Sequence, residues 1–495
     1  MRAMHYGEIL MKSISLIFSV ALIGIFLATP SLTFADANQG ILTPALAAAG
    51  PNAVTRFISL SPGELLGNYE AAVRENGAQG GGRRLVSVHL NVPAFTAGDW
   101  TRFRRPNGAV SWRTAIKSDG AFFLRPHFAY ISEDTQVFVY GVSDELASLA
   151  HRTVTALSDD FWGPIADGDI LFIEVISDAV PELIVDKISH GIQPILPTAK
   201  EAGCYLDPSC YPEWDDIKSG VGLLYIDSLF GGGMCTGSLL ADRGRTGQPW
   251  FLTANHCLSN QWQADGVIVY WNYDTDTCNG QAPGYQGLPT SSGADLKGHG
   301  FMSDFSFMLL DEAPPQGTTY LGWSIDPLEA SDEIIAVHHP DVAWKRITFG
   351  NIVNTNGNFW EVRYSESSTE GGSSGCPLFN ADREVIGQLY GGTAGCDRMN
   401  ATDTYGKFMV SWDLAIGNFL NNGDAVDDDW YADDDDDIED DDGDDDDGDD
   451  DGDDDWVDDD IDDDTDDDDT GDDDLQADDD DDDDDDDDTG GGCGC

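Results

Sequence analysis

The sequence predicts an all-β chain whose domains are sandwiches or barrels. Two patterns carry that expectation: short runs in which apolar and polar residues alternate, and turn residues that break those runs every few positions. RRLVSVHLNV (Arg83 to Val92), TQVFVYGV (Thr135 to Val142), GVIVYWNY (Gly266 to Tyr273) and FSFMLL (Phe305 to Leu310) are such runs, with Gly, Asp and Asn between them. Helix-period segments are few, and SWDLAIGNFLNN (Ser411 to Asn422) is the candidate for a closing helix. A chain of 495 residues is long enough for two or three domains with sizeable cores.

Taken in order, residues 1–37 read as a secretory signal. Arg2 and Lys12 precede an apolar stretch from Ile14 to Ala28, and the small residues Thr33, Ala35 and Ala37 follow it. The apolar stretch is short for a retained membrane anchor. Export places the nine cysteines in an oxidising compartment, so disulfides and a secreted or cell-surface location are expected. Residues 38–200 form a β-rich segment with no cysteine and no obvious catalytic set, and residues 201–423 continue the short-strand pattern with Gly-rich turns. Residues 424–495 hold 47 acidic residues and no Lys or Arg, and so carry 47 of the 68 net negative charges. Such a run repels itself and has too few apolar residues to build a core, so it reads as a disordered tail. A polyanion excludes nucleic acid as a partner. Its repeats, such as DDGDDDDGDDDGDDD, could gather calcium weakly but lack the register of an EF-hand loop; no other cofactor or metal is expected.

The chemistry is concentrated in residues 201–423. WFLTANHCLSN places His256 at the end of an apolar strand, MSDFSFMLLD places Asp304 at the head of another, and TEGGSSGCPLF offers Ser374 in a glycine turn. A serine hydroxyl becomes a useful nucleophile only when a neutral imidazole takes its proton, and a buried carboxylate must hold that imidazole in the right tautomer. The order His256, Asp304, Ser374 is that of the chymotrypsin-type triad, with His256 as general base and acid and Asp304 as orienter. Ser374 is preferred to Ser373 because it precedes Gly375, and the backbone N–H groups of Gly372 and Ser374 can then converge on an oxyanion. Asp295 and Asp311 are the rivals of Asp304, while His338 and His339 read as structural.

Residues from about Cys204 to Gly423 closely resemble the lysyl endopeptidases, secreted bacterial serine proteases. The matching stretches are CTGSLL (Cys235 to Leu240), FLTANHC (Phe251 to Cys257), VYWNYDTDTC (Val269 to Cys278), SDFSFMLL (Ser303 to Leu310), IAVHHPDVAWKRI (Ile335 to Ile347), GGSSGCPLF (Gly371 to Phe379) and IGQLYGG (Ile386 to Gly392). The resemblance implies a chymotrypsin-like double β-barrel and cleavage of protein or peptide substrates after lysine, with arginine also open. It implies that Asp403, two residues before Tyr405-Gly406, is the anion that receives the substrate ammonium. It implies the disulfides Cys204–Cys396, Cys210–Cys278 and Cys235–Cys257, leaving Cys376, Cys493 and Cys495 unassigned. Tyr390 stands where a relative carries His, and Ser373 where trypsin-like zymogens carry the Asp that binds a new N-terminus.

Lys200 precedes the first framework cysteine, so a lysine-directed cut there would release an enzyme beginning at Glu201 and make residues 38–200 a propeptide. The last basic residue is Lys407, so such an enzyme could not digest its own tail. The expected assembly is a monomer, attached to a cell surface if the C-terminal cysteines serve that end. The competing reading is an idle homologue that binds surfaces or calcium through the tail.

Overall fold

The computed structural model describes residues 58–421, apart from 61, 79–81, 106–107, 133–134, 142–151, 156–159, 196–202 and 285–286. The expected signal segment, Lys200, Glu201 and the acidic tail with Cys493 and Cys495 lie outside the described residues.

The N-terminal β segment folds as two stacked sheets. In one, the strand Ile170–Ile176 lies between Val110–Lys117 and Gln136–Gly141; in the other, Phe123–Ile131 and Leu183–Gly191 pair over most of their lengths. Their inner faces supply a shared core that includes Leu124, Phe128, Val137, Leu171, Ile173 and Val185. The helix Pro62–Ala78 is absent from the alternation-based expectation. It begins with a proline, has Glu64 in its first turn, and packs against the strand Ser87–Asn91. Its polar residues point across to the following domain: Glu75 accepts hydrogen bonds from the backbone N–H groups of Leu229 and Phe230 and from the Ser228 hydroxyl.

The cysteine-bearing domain has two halves. In the first, seven antiparallel strands run in the order Thr290–Ser292, Ile268–Tyr270, Val221–Asp227, Gly232–Leu240, Trp250–Ala254, Phe305–Leu310 and Ala294–Gly300. The second is a closed barrel: Glu333–His338, Arg346–Asn354, Phe359–Glu366, Asp403–Lys407, Val385–Gly392 and Pro377–Phe379. Each half has its own core, around Leu224, Phe251 and Trp271 in the first and Trp360, Leu378 and Tyr405 in the second. A third cluster lies at the seam, where Trp250, Phe305 and Phe307 meet Trp323, Val337, Phe379 and Phe408. The result is the chymotrypsin-like all-β arrangement. The closing helix runs from Phe408 to Leu420 with a π turn at Trp412–Ile416, three residues earlier at its start than the sequence pattern suggests. GVIVYWNY, by contrast, contributes only Ile268–Tyr270 as strand. The described cysteines pair as Cys204–Cys396, Cys210–Cys278 and Cys235–Cys257, as expected for an oxidising compartment, and Cys376 is free and buried.

The N-terminal domain docks through strand pairing and one buried charge cluster. Arg84 and Leu85 pair antiparallel with Met234 and Gly233, and Val86 and His89 donate their N–H groups to Gly232 and Phe230. Behind them, Asp227 is fully enclosed. It accepts from Arg125 at 2.6 Å, from Tyr225 at 2.9 Å, and lies 3.0 Å from His89 Nε2. Burial alone would raise its carboxyl, but the Arg125 guanidinium and His89 hold it below its ordinary value. Removing one partner of a buried pair strands the other in low dielectric, and typically costs about 3–5 kcal/mol. Arg125→Ala in the full chain is therefore expected to lower unfolding stability by about that amount, read from urea midpoints. A loss below about 1 kcal/mol would show that water already reaches Asp227.

Candidate active site

His256 and Asp304 sit at adjacent ends of the paired strands Trp250–Ala254 and Phe305–Leu310. Cys257, the next residue, is tied to Cys235 of the neighbouring strand, which fixes the turn that carries the imidazole. Asp304 adopts a left-handed backbone conformation (φ 54°) and directs both carboxylate oxygens at His256. Oδ1 accepts the His256 backbone N–H at 2.9 Å, and Oδ2 lies 2.7 Å from Nδ1. With the carboxylate on Nδ1–H, Nε2 is the nitrogen left to accept a proton. The Asp304 loop is held from the second barrel and the closing helix: Gln388 Nε2 donates to the Ser303 carbonyl at 2.6 Å, and the Ser303 and Ser411 hydroxyls bond at 2.8 Å. The rival carboxylates are elsewhere. Asp295 pairs with Lys297 near solvent, and Asp311 lies among Asp265, Asp295 and Glu312, where burial and those charges raise its carboxyl.

Ser374 belongs to the second barrel, in the turn before the strand Pro377–Phe379. Gly372 (φ 101°) and Gly375 (φ 80°) flank it in conformations that side-chain-bearing residues rarely adopt. Thr236, within CTGSLL and without an expected role, clamps this turn from the first half of the domain. Its N–H donates to the Ser374 carbonyl at 2.8 Å and its hydroxyl to the Gly372 carbonyl at 2.9 Å.

The ground in front of the nucleophile is occupied by the N-terminal domain. The Gly372 N–H donates to the Gly82 carbonyl at 3.1 Å. A Cβ built on Gly82 would overlap both Ser374 Oγ and His256 Nε2 and lie 3.2 Å from Ser374 Cβ. Nε2 of His256 is buried with no hydrogen-bond partner among the described residues, so the Ser374–His256 bond is not made in this arrangement. Nothing in the glycine run before Arg83 marks Gly82, by sequence, as part of the site.

Asp403 is buried on the strand Asp403–Lys407, opposite Gly392. Its carboxylate accepts from the Thr369 hydroxyl, from Tyr364 Oη at 3.1 Å and from the Ala394 N–H at 3.0 Å. Tyr364 Oη bonds Tyr405 Oη at 2.9 Å, and Tyr405 lies 3.8 Å from Cys376 Sγ. Burial pushes the Cys376 thiol well up, so it stays protonated and packed. Tyr390 stacks edge-on against His256, with ring centroids 5.8 Å apart.

Ser373 turns inward rather than toward the cleft. Its hydroxyl accepts the Glu370 N–H and bonds His338 Nδ1 at 2.8 Å. Ser373 itself carries no carboxylate to receive a new N-terminus. Burial, with Arg346 nearby, pushes His338 down from 6.5 to about 3, and burial together with Lys345 holds His339 low as well.

A Ser-His-Asp constellation at the seam of a half-barrel sheet and a closed barrel defines a serine protease of chymotrypsin-like fold. Residues 199–406 match the family described as lysyl endopeptidase, C-terminal domain. The chain is similar to a lysyl endopeptidase of Pseudomonas aeruginosa, 26% identical over 319 residues, covering 58% of this chain and 68% of the relative. Among solved structures it is similar to the thermostable serine protease AL20 of an extremophilic microorganism, at 15% identity and TM-score 0.33, covering 42% of this chain and 100% of the other. It is also similar to the active form of the Rv3671c protease of M. tuberculosis, at 16% identity and TM-score 0.31, covering 47% and 93%.

The depressed His338 has a signed consequence. Its folded value lies below its unfolded one, so the unfolded chain binds the proton first. Stability that is complete above pH 6.5 drains away as pH falls toward about 3. His338→Gln, whose amide can still bond Ser373, is expected to reduce the slope of stability against pH within that window by about 1.4 kcal/mol per unit, the worth of one proton. Urea midpoints across the window measure it. An unchanged slope would mean that His338 is already charged in the fold.

Proposed function

We propose that the chain is a precursor of a secreted serine endopeptidase that cleaves protein substrates after lysine through an acyl-enzyme. The observation that carries this reading is the Asp304 carboxylate bonded to both N–H groups of His256, with Ser374 presented beside it on a turn that leaves the Gly372 N–H pointing outward. Ser374 Oγ attacks the carbonyl carbon of the scissile bond while His256 Nε2 takes its proton. Gly372 and Ser374 N–H groups hold the oxyanion, and His256 returns the proton to the leaving amine. Water then repeats the sequence to free the acyl group.

Lysine selection is assigned to Asp403. Its partners are neutral donors, Thr369, Tyr364 and the Ala394 amide, so its negative charge is not cancelled by any protein cation among these contacts. A substrate ammonium reaching this base would gain a charge-assisted bond that an uncharged side chain cannot offer. The N-terminal domain, residues 38–200, is assigned as a propeptide removed by a cut after Lys200, the same specificity acting on its own precursor.

The wild-type chain, after removal of its N-terminal domain, is expected to cut a mixed peptide library after lysine, and Ser374→Ala to lose on the order of 10⁶-fold in kcat. Equal products from both, or none from either, would end the protease reading. Asp403→Asn is expected to lower kcat/KM for lysine substrates about thirtyfold or more, equivalent to about 2 kcal/mol. It should leave Ser374 reactive toward a small phosphonate. Retained lysine preference would move the specificity site elsewhere.

A further inference from the structure

The segment that covers the nucleophile lies in a substrate's direction. The Gly82 carbonyl accepts from Gly372, the amide that a scissile carbonyl would use. The residues after Gly82 therefore run along the primed side, where the leaving half of a substrate must lie. Arg84 and Leu85 extend the edge of the first barrel by pairing with Met234 and Gly233, and the Val86 N–H continues the ladder to Gly232. This is strand addition to a sheet edge, a common mode of peptide recognition. Two side chains of the described structure then address the segment. Asn76, from the helix Pro62–Ala78, donates to the Arg83 carbonyl at 2.8 Å and braces it from behind. Asp341, from the enzyme side, pairs with Arg84 Nε at 3.2 Å. The Asp341 N–H donates to the Gly371 carbonyl, so this carboxylate is carried beside the oxyanion turn itself.

We propose that Gly82–Leu85 is bound as a pseudo-substrate, and that it marks a primed-side subsite in which Asp341 receives a basic residue two places beyond the scissile bond. The proposal rests on the serine-protease reading above. Glycine at 82 separates an inhibitor from a substrate. It offers no side chain to the Asp403 pocket, so the binding energy that would draw its carbonyl carbon onto Ser374 is missing. It also lets the Cα enter space that a Cβ would share with Ser374 Oγ and His256 Nε2. The backbone can thus settle between nucleophile and base while the following residues hold it there by strand pairing.

The test uses the full chain carrying Lys200→Ala, which blocks the proposed processing cut, and a fluorophosphonate that labels an accessible catalytic serine. With Gly82 in place, labelling is expected to be slow. Gly82→Val should raise the rate at least about tenfold, and Arg84→Asp, which sets two carboxylates against each other, should raise it as well. Near-ultraviolet circular dichroism confirms that each variant is folded, and Ser374→Ala supplies the background. If the wild-type chain freed of its N-terminal domain labels rapidly but neither variant exceeds the Gly82 precursor, the pseudo-substrate is overturned. If the freed wild type does not label, it is the serine-protease reading that fails. For the subsite, the freed enzyme is given paired peptides with Arg or Ala two places after the cleaved lysine. Arg is expected to be favoured about two- to fivefold in kcat/KM, the scale of a half-exposed ion pair, and the ratio should fall to about one in Asp341→Asn. Equal rates in the wild type would remove the subsite.

Discussion

The site depends on the seam between the two barrels. His256 and Asp304 hang from the first half and Ser374 from the second, so no single strand or turn sets the distance between base and nucleophile. Trp250, Phe305 and Phe307 on one side and Trp323, Val337, Phe379 and Phe408 on the other exclude water from that seam. Aromatic groups of this size remove large apolar areas from water and pack with defined geometry. A cluster of this kind is non-directional, however, and would tolerate small sliding. Directional bonds remove that freedom: Thr236 reaches across to the Ser374 turn, and Gln388 and Ser411 reach back to Ser303 beside Asp304. Each catalytic element is thereby pinned from outside its own half of the domain.

The charges inside the domain are handled in contrasting ways. Asp227 is buried with a cation, Arg125, drawn from the N-terminal domain. Asp403 is buried with hydroxyls and an amide, which stabilise a carboxylate without neutralising it. The first arrangement belongs to an interface that is complete when both domains are present. The second has only neutral partners among these contacts. Beneath the nucleophile, Ser373 and a neutral His338 occupy a place where an ion pair would tie activity to a new N-terminus. The cleft is covered instead by the N-terminal domain, through Gly82.

Much of this was legible in the sequence. His256, Asp304 and Ser374 are brought to one seam, the six framework cysteines pair as the resemblance implied, and Cys376 is a packed thiol. These features were readable because each sits in a local pattern: an apolar strand end, a glycine turn, a cysteine neighbour. What was missed involves contacts distant in sequence. Thr236 acts on Gly372 and Ser374 more than a hundred residues later, and nothing in CTGSLL by itself distinguishes a clamp from an ordinary strand residue. The helix Pro62–Ala78 escaped because Leu66, Tyr69 and Val73 are exposed, so its apolar residues do not form the single inward stripe that marks an amphipathic helix. Strands of the first barrel half showed little clean alternation because Val221–Asp227, Gly232–Leu240 and Trp250–Ala254 are buried on both faces.

Gly82 shows why a glycine run can be unreadable from sequence alone. In isolation, GGGRR offers flexible backbone followed by basic residues, the composition of a linker or a turn. Its meaning comes from two surfaces that meet only in the folded chain: a sheet edge with free hydrogen-bonding groups at Gly232–Met234, and an oxyanion turn with an outward amide at Gly372. A strand added to that edge is directed at the nucleophile by its own pleat, because the ladder sets both the chain direction and the position of the residue before Arg83. Once that register is set by Val86, Leu85 and Arg84, a residue 82 that keeps this path lies against Ser374 and His256. Glycine is the residue type that can occupy the spot without forcing either catalytic side chain to move. The same ladder that docks the N-terminal domain therefore also covers the active site, and the two cannot be separated by changing the linker upstream.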